Sequence, residues 1–454
     1  MMNQEKILSR MVQGCWSKPG LQTELSAENV LYEVTKFNGE GIFQNLSERR
    51  FRIKARVIKQ ARMGEAAAEG LLDEVIDRTI AKAIEAAERG RPMPAGYHFP
   101  ESSLLPGVKT WFEETAGFSP MERAARIKMA VKEAAAPGIE LSGSLHLSET
   151  TRFVANTSGM KSLGETTEIN LNYIAESATS RAHAGQACRD LIDLKELDLA
   201  REAVGRCLEA QNPQELPPGE YEAIFLPNAL ADLTPFLGML VFSALADQER
   251  RSYISGRLGE PLFSPLVDIW DDATDPRGLA EPFDAEGVAK NRIELVKAGV
   301  PQGFVHDSLT AASAGVETTG HAFPATSAVY GPIPAHLFFG PGNKSLKELI
   351  SEMERGVLVS RLHYVRCLEA ASVRVGGVTG DGAFLVERGR IVGPVRQMRF
   401  SESIMDLLRR VDGVGREWQT VRRQTQGPGP VSIYPSAFTL PAVKVESLGL
   451  TAAG

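Results

Sequence analysis

The chain is poor in the residues that most often build a metal or catalytic centre. It has seven histidines in 454 residues: His98, His146, His183, His306, His321, His336 and His363. No two lie within one or two helical turns of each other, so no helix can present a histidine pair to a metal. The four cysteines (Cys15, Cys188, Cys207 and Cys367) are scattered, form no C-x-x-C, and leave none after Gly380. That usage argues against a disulfide framework and suits a reducing compartment. There is no run of basic residues, and 50 Lys and Arg face 57 Asp and Glu for a net charge of −7. Proteins that bind DNA through its phosphates carry a basic face, so no nucleic-acid partner is expected. The longest apolar stretch, Pro235 to Ala246, is too short to cross a bilayer and reads as a buried helix. The first residues lack the apolar core of a secretory signal. The expected location is the cytoplasm, away from membranes.

What remains is an ordinary globular composition, 43% hydrophobic and 24% charged, in a chain long enough for more than one domain. The clearest linker runs through Asn212-Pro213 and Pro217-Pro218-Gly219. It sets an expected boundary between residues 1–215 and 216–454. The fold class expected is α+β: an N-terminal α/β domain with a mixed sheet and flanking helices, then a strand-rich, barrel-like C-terminal domain.

Before the linker, Val30–Val34 and the alternating Phe51–Ile58 read as strands around an Asn38–Gly41 turn. Leu71–Glu88 carries one apolar stripe and reads as a helix. Ser119-Pro120-Met121-Glu122 is a capping box opening a second helix. Ile139–Val154 and Glu168–Ile174 read as strands, and Thr179–Gln211 as one or two helices. After the linker, Leu262–Ile269 reads as a short strand ended by Asp271-Asp272. Ile293–Gln302 reads as a hairpin turning at Lys297-Ala298-Gly299. Ser345 to Glu348 is another capping box, Ala383–Val392 a hairpin, Ile404–Val411 a helix, Gln424–Pro430 a Gly/Pro-rich loop, and Pro441–Leu448 a last strand.

Several short motifs recur in one order from about Tyr221 onward: Gly256-Arg257-Leu258-Gly259-Glu260, Asp271-Asp272, Phe283 to Gly287, Lys297-Ala298-Gly299-Val300, Thr319-Gly320-His321, Gly331-Pro332, Phe339-Gly340-Pro341-Gly342, Gly380-Asp381-Gly382 and Glu387-Arg388-Gly389. Together they resemble the TldD/PmbA family, also called the modulator-of-gyrase family. The resemblance implies two kinds of member. TldD-like chains carry a zinc-binding HExxxH helix and a later Cys and are metallopeptidases. TldE-like chains, which include PmbA itself, lack those ligands and pair with a TldD-like subunit.

The resemblance places the zinc helix in Pro227–Ala246. Aligned on Pro227 and Ala229, its His, Glu and His positions are taken here by Pro235, Phe236 and Leu240. Zinc takes imidazole, thiolate or carboxylate ligands, and none of the three side chains supplies one. The resemblance thus implies a metal-free, TldE-like chain with no catalytic residue and no cofactor of its own. Zinc is expected in a TldD-like partner, and the pair would act on unfolded peptides, peptide precursors or small amide conjugates. Two other readings stay open: a stand-alone hydrolase with a non-zinc catalytic set, and a homodimeric binding or scaffold protein.

Of the remaining candidates, Thr319, Gly320 and His321 could face a substrate or a partner, glycine allowing close backbone approach. A lone histidine is more often a hydrogen-bonded structural residue. Asp268, Asp271, Asp272, Asp284 and Glu286 could hold a hard cation, but acids in turns also bond their own backbone. Phe339 to Ser345 precedes a helix yet lacks phosphate-loop spacing, so it reads as a strand-turn-helix joint.

Overall fold

The computed structural model of the chain describes residues 4–323, 331–426 and 433–452. Residues 427–430 of the expected Gly/Pro-rich loop lie outside this set.

The first half is a two-layer unit. Its sheet contains β1 (Gln22–Asn38), β2 (Gly41–Lys59), β3 (Arg62–Glu69), β4 (Arg91–Pro92), β5 (Glu140–Asn156), β6 (Lys161–Glu176) and β7 (Arg181–Cys188), in spatial order β4-β3-β2-β1-β5-β6-β7. The mixed sheet expected here is antiparallel at every pairing. Short turns such as Asn38–Gly41 can only reverse the chain, whereas a parallel pair needs a long crossover. Alternation along the strands then sorts the side chains. Odd-numbered Leu25, Ala27, Leu145, Leu147, Phe153 and Ala155 are buried in the clusters under the helices Gln4–Cys15, Asp73–Glu88, Pro120–Glu133 and Glu196–Glu209. Even-numbered Glu24, Arg152 and Val154 turn toward the second half.

Part of the helical reading of Thr179–Gln211 is corrected: Arg181–Cys188 is the end strand β7, and the helix is confined to Glu196–Glu209. Ala182, Ala184 and Ala187 look helix-forming in isolation. Pairing with β6, with a helix packed above, decides otherwise.

The second half supplies β8 (Gly219–Phe225), β9 (Ile269–Asp271), β10 (Ile293–Lys297), β11 (Val300–Pro301), β12 (His336–Phe339), β13 (Arg355–Glu369), β14 (Arg374–Glu387), β15 (Arg390–Val395), β16 (Met398–Ser403), β17 (Val411–Val414), β18 (Gln419–Gln426), β19 (Ile433–Leu440) and β20 (Val443–Ala452). The order β13-β8-β20-β16-β14 closes on itself through the β13–β14 pairing, giving a five-stranded barrel. A second sheet, β11-β10-β9-β12-β19-β18, lies beside it. The expected α+β class with a barrel-like second half is what the chain forms.

Two local expectations change. The strand expected over Leu262–Ile269 is regular only from Ile269 to Asp271, because Leu262 and Phe263 both donate backbone bonds to Gly299 in the hairpin tip. The single helix expected over Pro235–Ala246 divides into Pro227–Leu240 and Ala244–Gln248. Between them the chain extends to pair with Val305, whose N–H reaches the Phe242 carbonyl at 2.9 Å while its carbonyl accepts from Ala244 at 3.1 Å.

The two halves are locked by a buried ionic seam. Arg56 of β2 donates to Glu24 of β1 at 2.7 Å and to Glu286 at 2.8 Å. Glu286 also accepts from the Ser308 N–H at 3.0 Å and its hydroxyl at 2.8 Å. All three charged side chains are under a tenth exposed. Beside them Phe283 lies so close to the sheet that a Cβ on Gly164 would sit 2.7 Å from its ring, which is why glycine stands there.

Candidate functional site

The helix Pro227–Leu240 follows β8 directly. Pro227 suits the first helical position, where its missing N–H is no loss. Pro235, inside the helix, removes the N–H that would reach the Ala231 carbonyl. Thr234 donates its hydroxyl to the Leu230 carbonyl at 2.9 Å. Leu230, Leu233 and Leu237 are buried against Phe225 and Val443 of the barrel and Ile404 of the helix Ile404–Arg409. They border a void of about 30 Å³ whose lining is almost wholly apolar, which keeps such a space dry. Pro235, Phe236 and Leu240 are half-buried, and Phe236 and Leu240 pack on the edge of the same core.

These three side chains are the ones the family resemblance sets at zinc-ligand positions, and they do not fit that ion. A pyrrolidine ring, a phenyl ring and an isobutyl group have no lone pair to give. Among the described residues no group of three His, Cys, Asp or Glu is arranged to hold a metal. The one acid of the helix is engaged otherwise: Asp232 accepts from Arg423 at 2.8 Å and from the Leu362 N–H of β13 at 3.1 Å. Arg423 also donates to the Asn228 carbonyl at 2.8 Å. Asp232 therefore clamps the helix to β13 and β18.

Thr319, Gly320 and His321 sit deeper. Thr319 exchanges bonds with His306, accepting from its N–H at 2.7 Å and donating its hydroxyl to its carbonyl at 3.0 Å. Gly320 has φ +72°, and a Cβ there would be 2.4 Å from the Ala289 carbonyl oxygen, so only glycine fits. This brings His321 Nε2 to 2.9 Å from Asp271 Oδ1, while Asp271 Oδ2 accepts from the His336 N–H at 2.7 Å. His321 and Asp271 are fully buried. Burial pushes the Asp271 carboxyl up, but His321, Lys290 and His336 outweigh it and hold the group at about 2. Asp271 is thus an ionised anchor joining β9 to two distant segments. In the isolated chain His321 presents no surface to solvent.

The other acids are engaged in turns. Asp268 accepts from Ala298 N–H at 2.6 Å and pins the hairpin tip. Asp272 accepts from Thr274 N–H at 2.9 Å. Asp284 accepts from Glu286 and Val288 N–H groups at 2.9 and 3.0 Å, and from Ala322 N–H at 2.8 Å. The N–H groups of Gly340 and Gly342 go to the carbonyls of Asp268 and Gly415, so Phe339 to Ser345 is a strand-turn-helix joint.

The sequence reading missed one cluster beside the Pro227–Leu240 helix. Asp381, set at φ +49° between two glycines, takes His363 Nε2 at 3.0 Å, Arg361 Nη1 at 3.2 Å and Arg181 Nε at 3.8 Å. A Cβ on Gly380 would lie 2.2 Å from the His363 ring, so this glycine makes room for the contact. Gly380-Asp381-Gly382 was visible as a motif. That it gathers Arg361, His363 and Arg181 became visible only in three dimensions.

The profile of the PmbA/TldA metallopeptidase C-terminal domain matches residues 218–452, just over half of the chain. Metalloprotease PmbA of Escherichia coli O157:H7 is 26% identical over 382 residues, which cover 80% of either protein. A metalloprotease of Methanothermobacter thermautotrophicus is 31% identical over 172 residues, and that match spans only 37% of either protein. Among solved structures, TldE of Thermococcus kodakarensis superposes with a TM-score of 0.84 at 21% identity, over 98% of this chain and 100% of that one. A Thermotoga maritima protein described as a modulator of a DNA gyrase gives 0.85 at 22% identity, over 99% and 100%. At such identities the superpositions speak for a shared fold.

Proposed function

The chain belongs to the PmbA/TldD family, and on that premise we propose that it is the metal-free, TldE-like subunit of a heteromeric zinc metallopeptidase. A TldD-like partner holds the zinc and hydrolyses the bond. This chain completes the chamber and positions an unfolded peptide, a peptide precursor or a small amide conjugate, the peptide in extended form. What supports the reading is that the half-buried edge of the helix Pro227–Leu240 presents Pro235, Phe236 and Leu240, side chains with no metal-ligating atom, at the positions that the family resemblance assigns to zinc ligands. The apolar edge suits a subunit contact better than chemistry. Thr319, Gly320 and His321 then act from beneath, keeping the segment around Asp271 in place for a substrate- or partner-facing surface. The working boundary between the two units is 215/216, and the complex works in the cytoplasm. None of the described helices is long and apolar enough to cross a membrane.

Co-expression with an HExxxH-bearing relative from the same genome tests the reading. The two chains should co-purify, and elemental analysis should assign zinc to the complex and almost none to this chain alone. Failure to co-purify, or stoichiometric zinc in the isolated chain, would sink it. Chelator-resistant peptidase activity from this chain by itself would favour a stand-alone hydrolase instead.

A further inference from the structure

Two stretches of the first-half sheet run past their end strands, and the chain treats them differently. Where β6 runs past β7, another segment covers it: the Thr167 N–H reaches the Thr110 carbonyl at 3.0 Å, and the Thr110 hydroxyl reaches the Glu165 carbonyl at 2.5 Å. At the opposite edge, β3 covers β2 only over residues 52–59, and the Gly70 N–H takes the Phe51 carbonyl at 2.8 Å. Over residues 41–50, β2 pairs with β1 on one side. Among the described residues, nothing bonds to its backbone on the other.

This open edge is apolar. Ile42 is 42% exposed, Phe43 64% and Leu46 42%. Residues 41–47 include no charged side chain and no proline. Those are the residues that normally blunt an edge, and a bare strand with exposed apolar side chains is a template for another strand. The charges begin only at Glu48, Arg49 and Arg50. Arg50 folds back on Glu48 at 2.6 Å, while Arg49 lies 3.9 Å from Glu149.

The order of side chains says which strand fits. A strand edge meets its own copy antiparallel about a two-fold axis. Opposed residues must turn their N–H and C=O groups the same way, so the axis passes through one residue and its copy. A bulge at Phe43, where Ile42 opposes Phe37 but Gln44 opposes Lys36, ends the regular stretch toward the hairpin tip. Centring the axis on Asn45 leaves a ladder of three residues. Centring it on Ser47 sets Leu46 against Glu48, and centring it on Glu48 or Arg49 sets like charges face to face. Centring it on Leu46 runs the ladder over residues 44–48. Leu46 then meets its own copy, Asn45 meets Ser47 and Gln44 meets Glu48. Just beyond, Arg49 of one chain comes beside the Phe43 ring of the other, a cation–π neighbour. In that register the strand complements itself in charge and in apolar contact.

We propose that this edge of β2, centred on Leu46, is an interface between two copies of the chain. It joins their seven-stranded sheets into one continuous sheet. This inference goes beyond the subunit reading and does not rest on it: it uses the sheet edge of the first half, whereas the zinc-bearing partner was assigned to a helix of the second.

The test uses the full-length chain alone, by light scattering behind size exclusion over a dilution series. The expected mass is twice the 49.3 kDa of one chain, with nothing larger, because the two-fold uses up the edge in both copies. Leu46→Arg, which sets like charges on the axis, should give the single-chain mass with an unchanged circular dichroism spectrum and melting curve. Cross-linking checks the register. Of the four cysteines only Cys367 is exposed, so Cys367→Ser removes the background. In that chain Leu46→Cys should form a disulfide-linked dimer under mild oxidation, since opposed residues have Cα atoms about 4.5–5.5 Å apart, within disulfide reach. Gln44→Cys should not, because it faces Glu48 rather than itself. A single-chain mass at every concentration, a larger open assembly, an undisturbed dimer in Leu46→Arg, or cross-linking of Gln44→Cys as fast as Leu46→Cys would overturn the proposal. Co-purification with the zinc-bearing partner does not use this edge, so the subunit reading stands or falls separately.

Discussion

Two buried neighbourhoods of this chain handle the loss of water in opposite ways. The seam between the halves is full of charge: Glu24, Arg56 and Glu286, with Asp284 and Asp307 close by, are all buried. The packing under the helix Pro227–Leu240 has almost none, and its one acid, Asp232, is held by Arg423 at the rim. A buried charge is tolerated only when matched, and removing one member leaves the rest exposed to the full desolvation penalty. An apolar packing fails more gradually, by the volume removed. The seam is therefore the brittle part of the molecule, and the helix is the part whose side chains can change without loss of fold.

The largest effect is expected from Arg56→Met, which strands Glu24 and Glu286. It should cost about 3–5 kcal/mol in urea denaturation, and adding Glu24→Gln should restore part of the loss. A loss below 1 kcal/mol would mean that the seam is hydrated.

Leu237→Ala, on the apolar side, should cost about 2–4 kcal/mol by enlarging the void it borders. Unlike the seam variant, it should show no recovery with any single charge change. Phe236→Glu at the half-buried edge should cost about 1–2 kcal/mol, less than Leu237→Ala, because its ring packs only on the rim of the core. It should nonetheless abolish co-purification with the TldD-like partner. Stable folding with intact co-purification would place the contact elsewhere.

The smallest effect is in pH. Burial holds His146 and His336 at about 4 and His183 at about 3, against 6.5 unfolded. The folded state refuses these protons, so stability should rise as pH climbs from about 4 to 6.5. Burial, with Glu286 adding, pushes Glu24 and Asp284 up to about 7, against 4.5 and 3.8 unfolded. The folded state keeps those protons, so their contribution is lost as pH rises through 7. Urea midpoints should peak near pH 6.5 and decline slightly by pH 8, and Glu24→Gln should flatten the decline. A midpoint still climbing steeply between pH 7 and 8 would contradict this.

Much was legible before the structure. The capping boxes at Ser119 and Ser345 open helices, and both show reciprocal side-chain and backbone bonds. The Lys297–Gly299 hairpin and the turns at Asn38–Gly41 and Arg388-Gly389 fall where Gly and Asn place them. All of these are set by bonds between neighbours in sequence. The motifs after Tyr221 led to the family that the profile match supports. The strand at Arg181–Cys188, the break after Leu240 and the antiparallel sheet were not legible, because each depends on a partner segment distant in the chain.

The same division runs through the candidate site. Local composition by itself determined that positions 235, 236 and 240 carry no metal ligand, since a side chain's donor atoms do not depend on the fold. Tertiary structure alone decided that His321 is sealed against Asp271, fifty residues away. It alone brought Arg361, His363, Asp381 and His183 from three strands and two sheets into one corner. Which atoms a residue can offer is written in its identity, but which atoms remain unpartnered is a property of everything packed around it.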